Sequence, residues 1–283
     1  MPSQSDPITS SRIIHDEEVP REALNRAFRY GDGLFETLLV RDGKAWKLEA
    51  HLERMLNGMG ILGFEFDPKS WRERMIDLTQ RLIKTKHRGE FSRIRIQVYR
   101  GGGGKYRPET NVPEYVAELT PLPNDPWSYN KRLKIGVFHE VQLLNTSLSA
   151  VKSCSALPYV VAARYAQQQG WDDAILRSVQ GHIAETSCAN IFVLRHAQVL
   201  TPALKAGCIP GIMRKTLLEI ARASGFQVVE RAVYMRDLTE SDDILLTNVI
   251  RGLQPVGSIA GKEWTPAKSS ARNDLLRLIR ERS

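Results

Sequence analysis

The sequence predicts a mixed α/β protein made of two domains. Stretches with the alternating pattern of strands and stretches with helical spacing follow one another along the 283 residues, a mixture typical of α/β or α+β proteins. Hydrophobic residues make up 42% of the chain and charged residues 25%, as in globular proteins with a substantial core. Three prolines, an asparagine and an aspartate between residues 121 and 126 indicate a linker. We therefore expect a smaller N-terminal α/β domain (1–122), a linker (123–131) and a larger, strand-rich C-terminal domain (132–283).

The composition argues against several classes of protein. The 40 basic and 32 acidic residues give a net charge of +8, but they are dispersed rather than gathered in a stripe, so no nucleic-acid partner is expected. An anionic cofactor or substrate explains the excess equally well. No apolar run is long enough to span a bilayer, and the N-terminus lacks a signal-peptide pattern. Because Cys154, Cys188 and Cys208 lack metal-ligand spacing, we expect no metal and a reduced, cytoplasmic protein.

The N-terminal half predicts a hairpin, two helices and two further strands. Leu52, Met55 and Met59 share one face of a predicted helix, and strand-like alternation marks residues 91–99. The glycine-rich segment 101–107 that follows is not a phosphate-binding loop, because its lysine is followed by tyrosine rather than by Ser or Thr. We interpret it as a mobile loop with cationic tips, although a plain surface hairpin fits the local sequence about as well. Helices are expected at 49–59 and 71–85, and strands at 38–40, 45–48, 91–99 and 115–119.

The C-terminal half predicts many short strands and three helices. Gly170 and Gly225 mark the ends of two of these helices, and Pro210-Gly211 opens the second. The helices are expected at 156–169, 210–224 and 271–280. The strands are expected at 134–138, 174–176, 183–185, 191–194, 199–201, 228–233, 243–246 and 254–259.

Candidate chemistry centres on the segment from Gly181 to Phe192, which joins two short predicted strands. Glu185 is followed by a run of small side chains, Thr-Ser-Cys-Ala, which lets a flat ligand approach the backbone closely. A lone carboxylate at such a turn can point at a ring nitrogen. A tight turn with a solvated Glu185 is the alternative, and short motifs of this kind often occur by chance.

Two further segments carry residues that could bind an anion and react with a carbonyl group. Pro210-Gly211 opens a helix after a strand, so free backbone N–H groups at its start form an anion site. Thr247 and Arg54 could add a hydroxyl and a guanidinium to it. Lys152 precedes a helix N-terminus, where the helix dipole helps to lower the pKa of its amine. Each residue also has a purely structural interpretation, but together with Glu185 they are what pyridoxal phosphate needs: a reactive lysine, an aimed carboxylate and a phosphate cradle.

These motifs as a set resemble the class-IV pyridoxal-phosphate aminotransferases. The matching segments occur in the order typical of that family and extend from about residue 26 to 260, nearly the whole chain. They are Tyr30-Gly31-Asp32-Gly33-Leu34-Phe35-Glu36-Thr37, His51-Leu52-Glu53-Arg54, Lys152, Glu185 to Phe192, Thr201-Pro202, Pro210-Gly211-Ile212-Met213-Arg214 and Pro255-Val256.

The resemblance implies a set of site residues and an assembly. Lys152 would form the Schiff base and shuttle protons, and Glu185 would pair with the pyridine nitrogen. The family folds as a smaller N-terminal and a larger C-terminal domain with the cofactor between them. Its members are generally homodimers, and a loop like Gly101–Arg107 can reach the partner's active site. The phosphate and ring contacts would come from Arg54, Thr247, Ile209 and the backbone of Ile212 and Met213.

Within that family the sequence is most similar to the aminodeoxychorismate lyases. That branch often has the threonine matched by Thr37, a glycine-rich loop, a Gly-Ile-Met-Arg phosphate segment and the asparagine matched by Asn248. It cleaves 4-amino-4-deoxychorismate to 4-aminobenzoate and pyruvate. The resemblance implies that Lys152 takes the proton beside the substrate amine and that Thr37 helps proton delivery. Substrate contacts would come from Asn248 and from Lys105 or Arg107.

An aminotransferase of D-amino-acid, branched-chain or broad specificity is the main alternative, because both branches share every cofactor residue. The branched-chain branch would have arginine at Leu39 and tyrosine at Leu157, and the D-amino-acid branch an Arg-x-His trap where this chain has Lys-Tyr-Arg at 105–107. Ser155, in turn, replaces an asparagine common in the lyases. A non-catalytic binding protein on the same fold is a distant alternative, which the intact Lys152 and Glu185 disfavour.

Overall fold

The computed structural model describes residues 25–87, 89–128, 131–260, 262–263 and 270–281. Helices alternate with strands along the chain, and the strands form two separate sheets. The mixed α/β class expected from the sequence is confirmed. The first residues, to about Glu22, have a polar sequence that predicts a partly extended segment, and they lie outside the described residues.

The first sheet has four antiparallel strands in the order β2-β1-β3-β4. Alternation along β3 places Ile94, Ile96 and Val98 in the core, where they pack with Leu52, Met55 and other residues of α2 and α3. The opposite face of β1 and β3 points away from this core. The elements are α1 (Arg26–Tyr30), β1 (Gly33–Arg41), β2 (Lys44–Ala45), α2 (Leu48–Ile61), α3 (Pro68–Lys86), β3 (Phe91–Arg100) and β4 (Pro113–Leu122).

The second sheet is larger and mixed, with the order β10-β9-β8-β11-β12-β5-β6-β7, and β13 pairs with β12. The β9–β10, β5–β12 and β5–β6 pairs are parallel and the others are antiparallel. Its strands are β5 (Leu133–Leu143), β6 (Asp173–Ser178), β7 (Ile183–Thr186), β8 (Asn190–Arg195), β9 (Gln198–Pro202), β10 (Gln227–Arg231), β11 (Asp243–Asn248), β12 (Gly252–Ile259) and β13 (Lys262–Glu263). The helices are α4 (Leu157–Gln168), α5 (Ile212–Ala223), α6 (Met235–Thr239) and α7 (Ser270–Glu281).

One segment of the second half of the chain is attached directly to the first sheet. The Phe35 N–H donates to the Lys152 carbonyl at 2.9 Å, and the Cys154 N–H donates to the Gly33 carbonyl at 2.9 Å. Strand β1 therefore carries the Lys152 segment along its edge. We propose that residues 123–131, between the last strand of the first sheet and the first strand of the second, form the domain boundary.

Most predicted elements are present, and their ends differ for local reasons. Asp67-Pro68 is the pair that the sequence predicts to open helix α3, and the helix begins there, three residues before its regular spacing starts at Trp71. The Asp67 side chain accepts the Ser70 N–H, and Pro68 fits the first turn. The returning strand of the hairpin covers two residues instead of four. The short helices α1 and α6 were not predicted, since five residues are too few for a periodic pattern. Among the described helices, none is both long and apolar enough to cross a membrane.

Candidate active site

Lys152 follows a 3-10 turn, Ser147–Ala150, and its amine points at the face of β1 that is turned away from the core. The Lys152 Nζ atom lies 4.6 Å from the centre of the Phe35 ring. Burial lowers the pKa of the amine below its usual value, and the nearby Arg54 guanidinium lowers it further. A lysine in this setting holds the neutral, nucleophilic form over a wider pH range than a solvated one.

Glu185 is buried on strand β7, with 3% of its surface exposed. Three groups donate to its carboxylate. The Tyr159 hydroxyl donates to Oε1 at 2.8 Å, the Asn190 amide to Oε2 at 3.1 Å, and the Ile209 N–H reaches both oxygens at 3.1 and 3.2 Å. The small residues after Glu185 are fixed by Asp173, which accepts from the Thr186 and Ser187 hydroxyls.

Glu185 and Lys152 lie close enough for their charges to interact. Each group shifts the pKa of the other, since Lys152 lowers that of Glu185 and Glu185 raises that of Lys152. Burial raises the pKa of Glu185 to about 7, against the Tyr159 and Ile209 hydrogen bonds that lower it. A solvated Glu185, the structural alternative, is not what the fold forms.

Arg54 on α2 is held by a buried carboxylate. Its Nε and Nη2 donate to the two oxygens of Glu36 at 2.8 and 2.6 Å, and Nη1 donates to the Pro210 carbonyl at 3.1 Å. His51 Nδ1 lies 2.7 Å from the same carboxylate. Burial alone would raise the pKa of Glu36, but Arg54 and His51 hold it at about 2. A guanidinium has five N–H groups, so the two left over in the described structure can bind an anion.

The other half of the anion cradle is the start of α5. Gly211 occupies the N-cap position without a side-chain cap, so the N–H groups of Ile212 and Met213 have no capping side chain. A Cβ on Gly211 would overlap the Asn190 Oδ1 atom, which shows how closely the chain passes here. The Thr247 hydroxyl is buried and has no hydrogen-bond partner in the described structure. A phosphate fits this donor set, because it would satisfy the orphaned hydroxyl and the free N–H groups.

A row of side chains on β1 and β3 lies on the sheet face where the Lys152 amine meets Phe35. Thr37 lies two residues beyond Phe35, on the same side of β1, and pairs across the strands with Arg95. The Arg95 guanidinium stacks 3.8 Å from the Phe35 ring centre and donates to Gln97 at 3.2 Å. Its charge also acts on Lys152. A half-buried cation beside the lysine is suited to a substrate carboxylate.

The glycine-rich loop carries its cations outward. Lys105, Tyr106 and Arg107 are all exposed, Tyr106 by 90%, and within one chain they are not brought to Lys152. The loop is nevertheless anchored. Buried Arg26 donates to the carbonyls of Gly103, Gly104, Lys105 and Tyr106 at 2.6–3.3 Å and to Asp32 at 2.7 Å. The expected cationic tips are present, and Arg26 sets the path of the loop that bears them.

Replacing Arg26 with lysine should release this loop. A lysine ammonium keeps the charge but lacks the planar set of N–H groups with which Arg26 donates to four carbonyls and a carboxylate. Trypsin is therefore expected to cut after Lys105 about tenfold faster, whereas Pro108 protects the bond after Arg107 in every variant. Limited proteolysis followed by mass spectrometry measures the rate. Arg29→Lys on the exposed side of the same helix is the matched control. Equal cleavage rates in the two variants would show that Arg26 does not hold the loop.

Asn248 is engaged by its own chain. Its amide donates to the Cys188 carbonyl at 3.2 Å and its oxygen accepts the Arg251 N–H at 2.7 Å. These bonds brace the turn after β11, next to Thr247. Ile209 is likewise adjacent to the site, through its N–H bond to Glu185. Substrate binding by Asn248 and ring packing by Ile209 stay predictions.

Sequence reasoning missed four residues that complete the site: Glu36, Asn190, Tyr159 and Arg95. Glu36 and Asn190 lie inside the quoted motifs, so their positions were visible but their contacts were not. Arg95 was assigned only to the polar face of a strand. Tyr159 had no signal, because nothing in a helix sequence shows which distant carboxylate a hydroxyl will meet.

The geometry defines a class of protein: a lysine amine, a buried carboxylate and an anion cradle around one space are the arrangement a pyridoxal-phosphate enzyme requires. The family model of class IV aminotransferases matches residues 33–259. The chain belongs to this family, and it is therefore a pyridoxal-phosphate-dependent enzyme.

Individual relatives differ in activity. The chain is 27% identical to an aminodeoxychorismate lyase of Vibrio harveyi over 84% of this chain and 87% of that protein. It is 26% identical to a putative branched-chain-amino-acid aminotransferase of Methanocaldococcus jannaschii over 89% of this chain and 87% of that protein. The crystal structure of 4-amino-4-deoxychorismate lyase from Pseudomonas aeruginosa superposes with a TM-score of 0.79 at 26% identity, covering 91% of this chain and 93% of that one. Family membership is shown, and both activities occur among the relatives.

Proposed function

We propose that the protein is an aminodeoxychorismate lyase, which converts 4-amino-4-deoxychorismate to 4-aminobenzoate and pyruvate. The observation that carries this proposal is the face of β1 that bears Phe35 and Thr37, where the Lys152 amine and the Arg95 guanidinium both lie against the Phe35 ring and Thr37 pairs with Arg95. A hydroxyl for proton delivery and a cation for a carboxylate suit a dicarboxylic substrate that loses an enolpyruvyl group. The similarity to the Vibrio harveyi lyase supports the same choice.

Different residues of the chain would hold different parts of the cofactor. Arg54, the N–H groups of Ile212 and Met213, and the Thr247 hydroxyl would hold the phosphate of pyridoxal phosphate, and Glu185 would face its ring nitrogen. When bound, the cofactor supplies an electron sink next to the substrate's amine-bearing carbon.

The reaction then needs two proton movements. The Lys152 amine, whose pKa is lowered by burial, takes the proton from the carbon beside the amine. The Thr37 hydroxyl assists protonation of the enolpyruvyl oxygen as its bond to the ring carbon breaks, and the released enol then tautomerises to pyruvate. Arg95 binds a substrate carboxylate and so orients the substrate, with its amine-bearing carbon at Lys152 and its enolpyruvyl oxygen at Thr37.

An aminotransferase is the second candidate, favoured by the Methanocaldococcus jannaschii relative. Two positions count against the branched-chain type. Leu39 is buried in the core, where the sequence comparison would need arginine, and Leu157 is 69% exposed and offers no hydroxyl. Ser155 remains a departure from the lyase pattern.

We further propose that the protein works as a homodimer. Exposed apolar side chains flank the Lys152 segment, with Leu148 just before it and Leu157 and Val160 in the helix after it. Exposed apolar groups near one another favour burial against a partner. In such a dimer the Lys105–Arg107 tip would meet the partner's site, where its cations would contact a substrate carboxylate.

A paired assay tests the proposed activity. The loaded enzyme is supplied with 4-amino-4-deoxychorismate, and fluorescent 4-aminobenzoate is measured; D-alanine and L-leucine are then offered separately with 2-oxoglutarate. We expect 4-aminobenzoate release at least about 10³-fold above a Lys152→Ala control, with little amino transfer. Amino transfer without 4-aminobenzoate would overturn the lyase proposal in favour of the aminotransferase.

A further inference from the structure

We propose that Tyr159 is a positioning residue that orients the Glu185 carboxylate and keeps the shared proton on the ring nitrogen of bound pyridoxal phosphate. This inference rests on the proposed site, in which Glu185 faces that nitrogen. It assigns a role to a residue that the sequence motifs do not include.

Tyr159 reaches Glu185 from a different element than the other donors. It lies in the first turn of α4, directly after the segment that carries Lys152, and its hydroxyl donates to Glu185 Oε1 at 2.8 Å. Asn190 and the Ile209 N–H belong to β8 and to the segment before α5. Helix α4 thus links the position of the lysine to that of the acid through one hydrogen bond.

The bond matters because Glu185 is in an environment that opposes its charge. The charged and titratable groups that face it are Lys152, Arg214, Tyr159 and Cys208. Burial raises the pKa of Glu185, and the Tyr159 hydrogen bond is the strongest of the effects that lower it. Burial raises the pKa of Tyr159 well above its usual range and the Glu185 carboxylate raises it further, so the hydroxyl stays a donor.

A carboxylate and a pyridine nitrogen that face each other share one proton. Donors to the carboxylate stabilise its ionised form, so they favour the proton on the ring. Removing one charge-assisted hydrogen bond shifts such an equilibrium by at least tenfold. The ring then carries less positive charge and is a poorer electron sink, although the cofactor remains attached to Lys152.

The test compares Tyr159→Phe with Tyr165→Phe. Tyr165 lies on the same helix and packs against Phe138 and Trp171, and its hydroxyl makes no hydrogen bond to the described residues. Each variant is loaded with pyridoxal phosphate labelled with ¹⁵N in the ring, and the ¹⁵N chemical shift, kcat, KM and melting temperature are measured. For Tyr159→Phe we expect the resonance to move toward the unprotonated position and kcat to fall about tenfold, with KM nearly unchanged. Tyr165→Phe should resemble wild type in the resonance and in kcat.

A third variant, Glu185→Gln, separates this inference from the proposed site. If Glu185→Gln shifts the ring resonance and Tyr159→Phe does not, the role of Tyr159 is wrong while the site stands. If Glu185→Gln itself leaves the resonance at the protonated position, Glu185 does not face the ring nitrogen and both proposals fail. A fall in melting temperature with no change in the resonance would make Tyr159 a structural residue and overturn the inference.

Discussion

Replacing Lys152 with alanine is expected to abolish covalent attachment of pyridoxal phosphate and to lower kcat by at least about 10³-fold. The amine lies against the Phe35 ring and close enough to Arg54 and Glu185 for both to shift its pKa, and we expect it to serve both as the attachment point and as the proton carrier. Losing a nucleophile and a base together removes several kcal/mol of transition-state stabilisation. Absorption of the purified protein, before and after borohydride treatment, and mass spectrometry of the reduced protein measure the attachment.

The matched control for this prediction is Lys69→Ala, which removes an exposed lysine from α3. It should keep the yellow colour, and borohydride should fix the cofactor to it at one site. Cofactor mass found on Lys152→Ala after reduction, at wild-type yield, would mean that another lysine makes the bond and that the proposed site is misplaced.

Replacing Glu36 with glutamine is expected to lower the free energy of unfolding by about 3 kcal/mol, because removing one partner of a buried ion pair leaves Arg54 without a countercharge. A glutamine amide also has an NH₂ donor in place of one carboxylate oxygen, so it cannot accept from Arg54 at both positions. With Arg54 no longer fixed, affinity for pyridoxal phosphate should fall at least about tenfold. Urea unfolding of the apoprotein and fluorescence titration with the cofactor measure the two effects.

The pH dependence of this effect follows from the pKa of Glu36. The folded protein holds this pKa at about 2, below the 4.5 of a solvated glutamate. The stabilising contribution of Glu36 is therefore present above about pH 4.5 and is lost as pH falls toward 2. The stability difference between wild type and Glu36→Gln should therefore shrink over that range. Glu53→Gln, which affects an exposed pair with Lys215, is the control and should cost less than about 1 kcal/mol. A pH-independent difference between wild type and Glu36→Gln would contradict the assignment.

Several features could be predicted from the sequence because they depend on local patterns. Alternation along residues 91–99 and helical spacing in residues 49–59 identify β3 and α2, since each pattern needs only one buried face. The order of short motifs around Lys152, Glu185 and Gly211 points to the family. These inferences use chemistry carried by a few neighbouring residues, so they survive without coordinates.

Other features depended on the approach of distant segments. The sequence predicts that Lys105 or Arg107 of the glycine-rich loop contacts the substrate, yet in the single chain both side chains are exposed. Arg95, on strand β3, is instead close enough to Lys152 to lower its pKa. Thr247 could be named as a phosphate contact, but its orphaned hydroxyl is visible only in the fold. Which charges are desolvated together cannot be deduced from sequence spacing.

The sequence by itself determined the mixed α/β class and the family, and it pointed to Lys152 and Glu185 as the candidate lysine and acid. Only the tertiary structure decided how those groups are tuned: Glu36 behind Arg54, and Tyr159 against Glu185, at hydrogen-bond distance across 18 and 26 residues. The physical reason is that a pKa or a fixed guanidinium depends on burial and on partners a few ångströms away. Those partners come together through the packing of α2 and α4 against the sheets, and no local pattern specifies that packing.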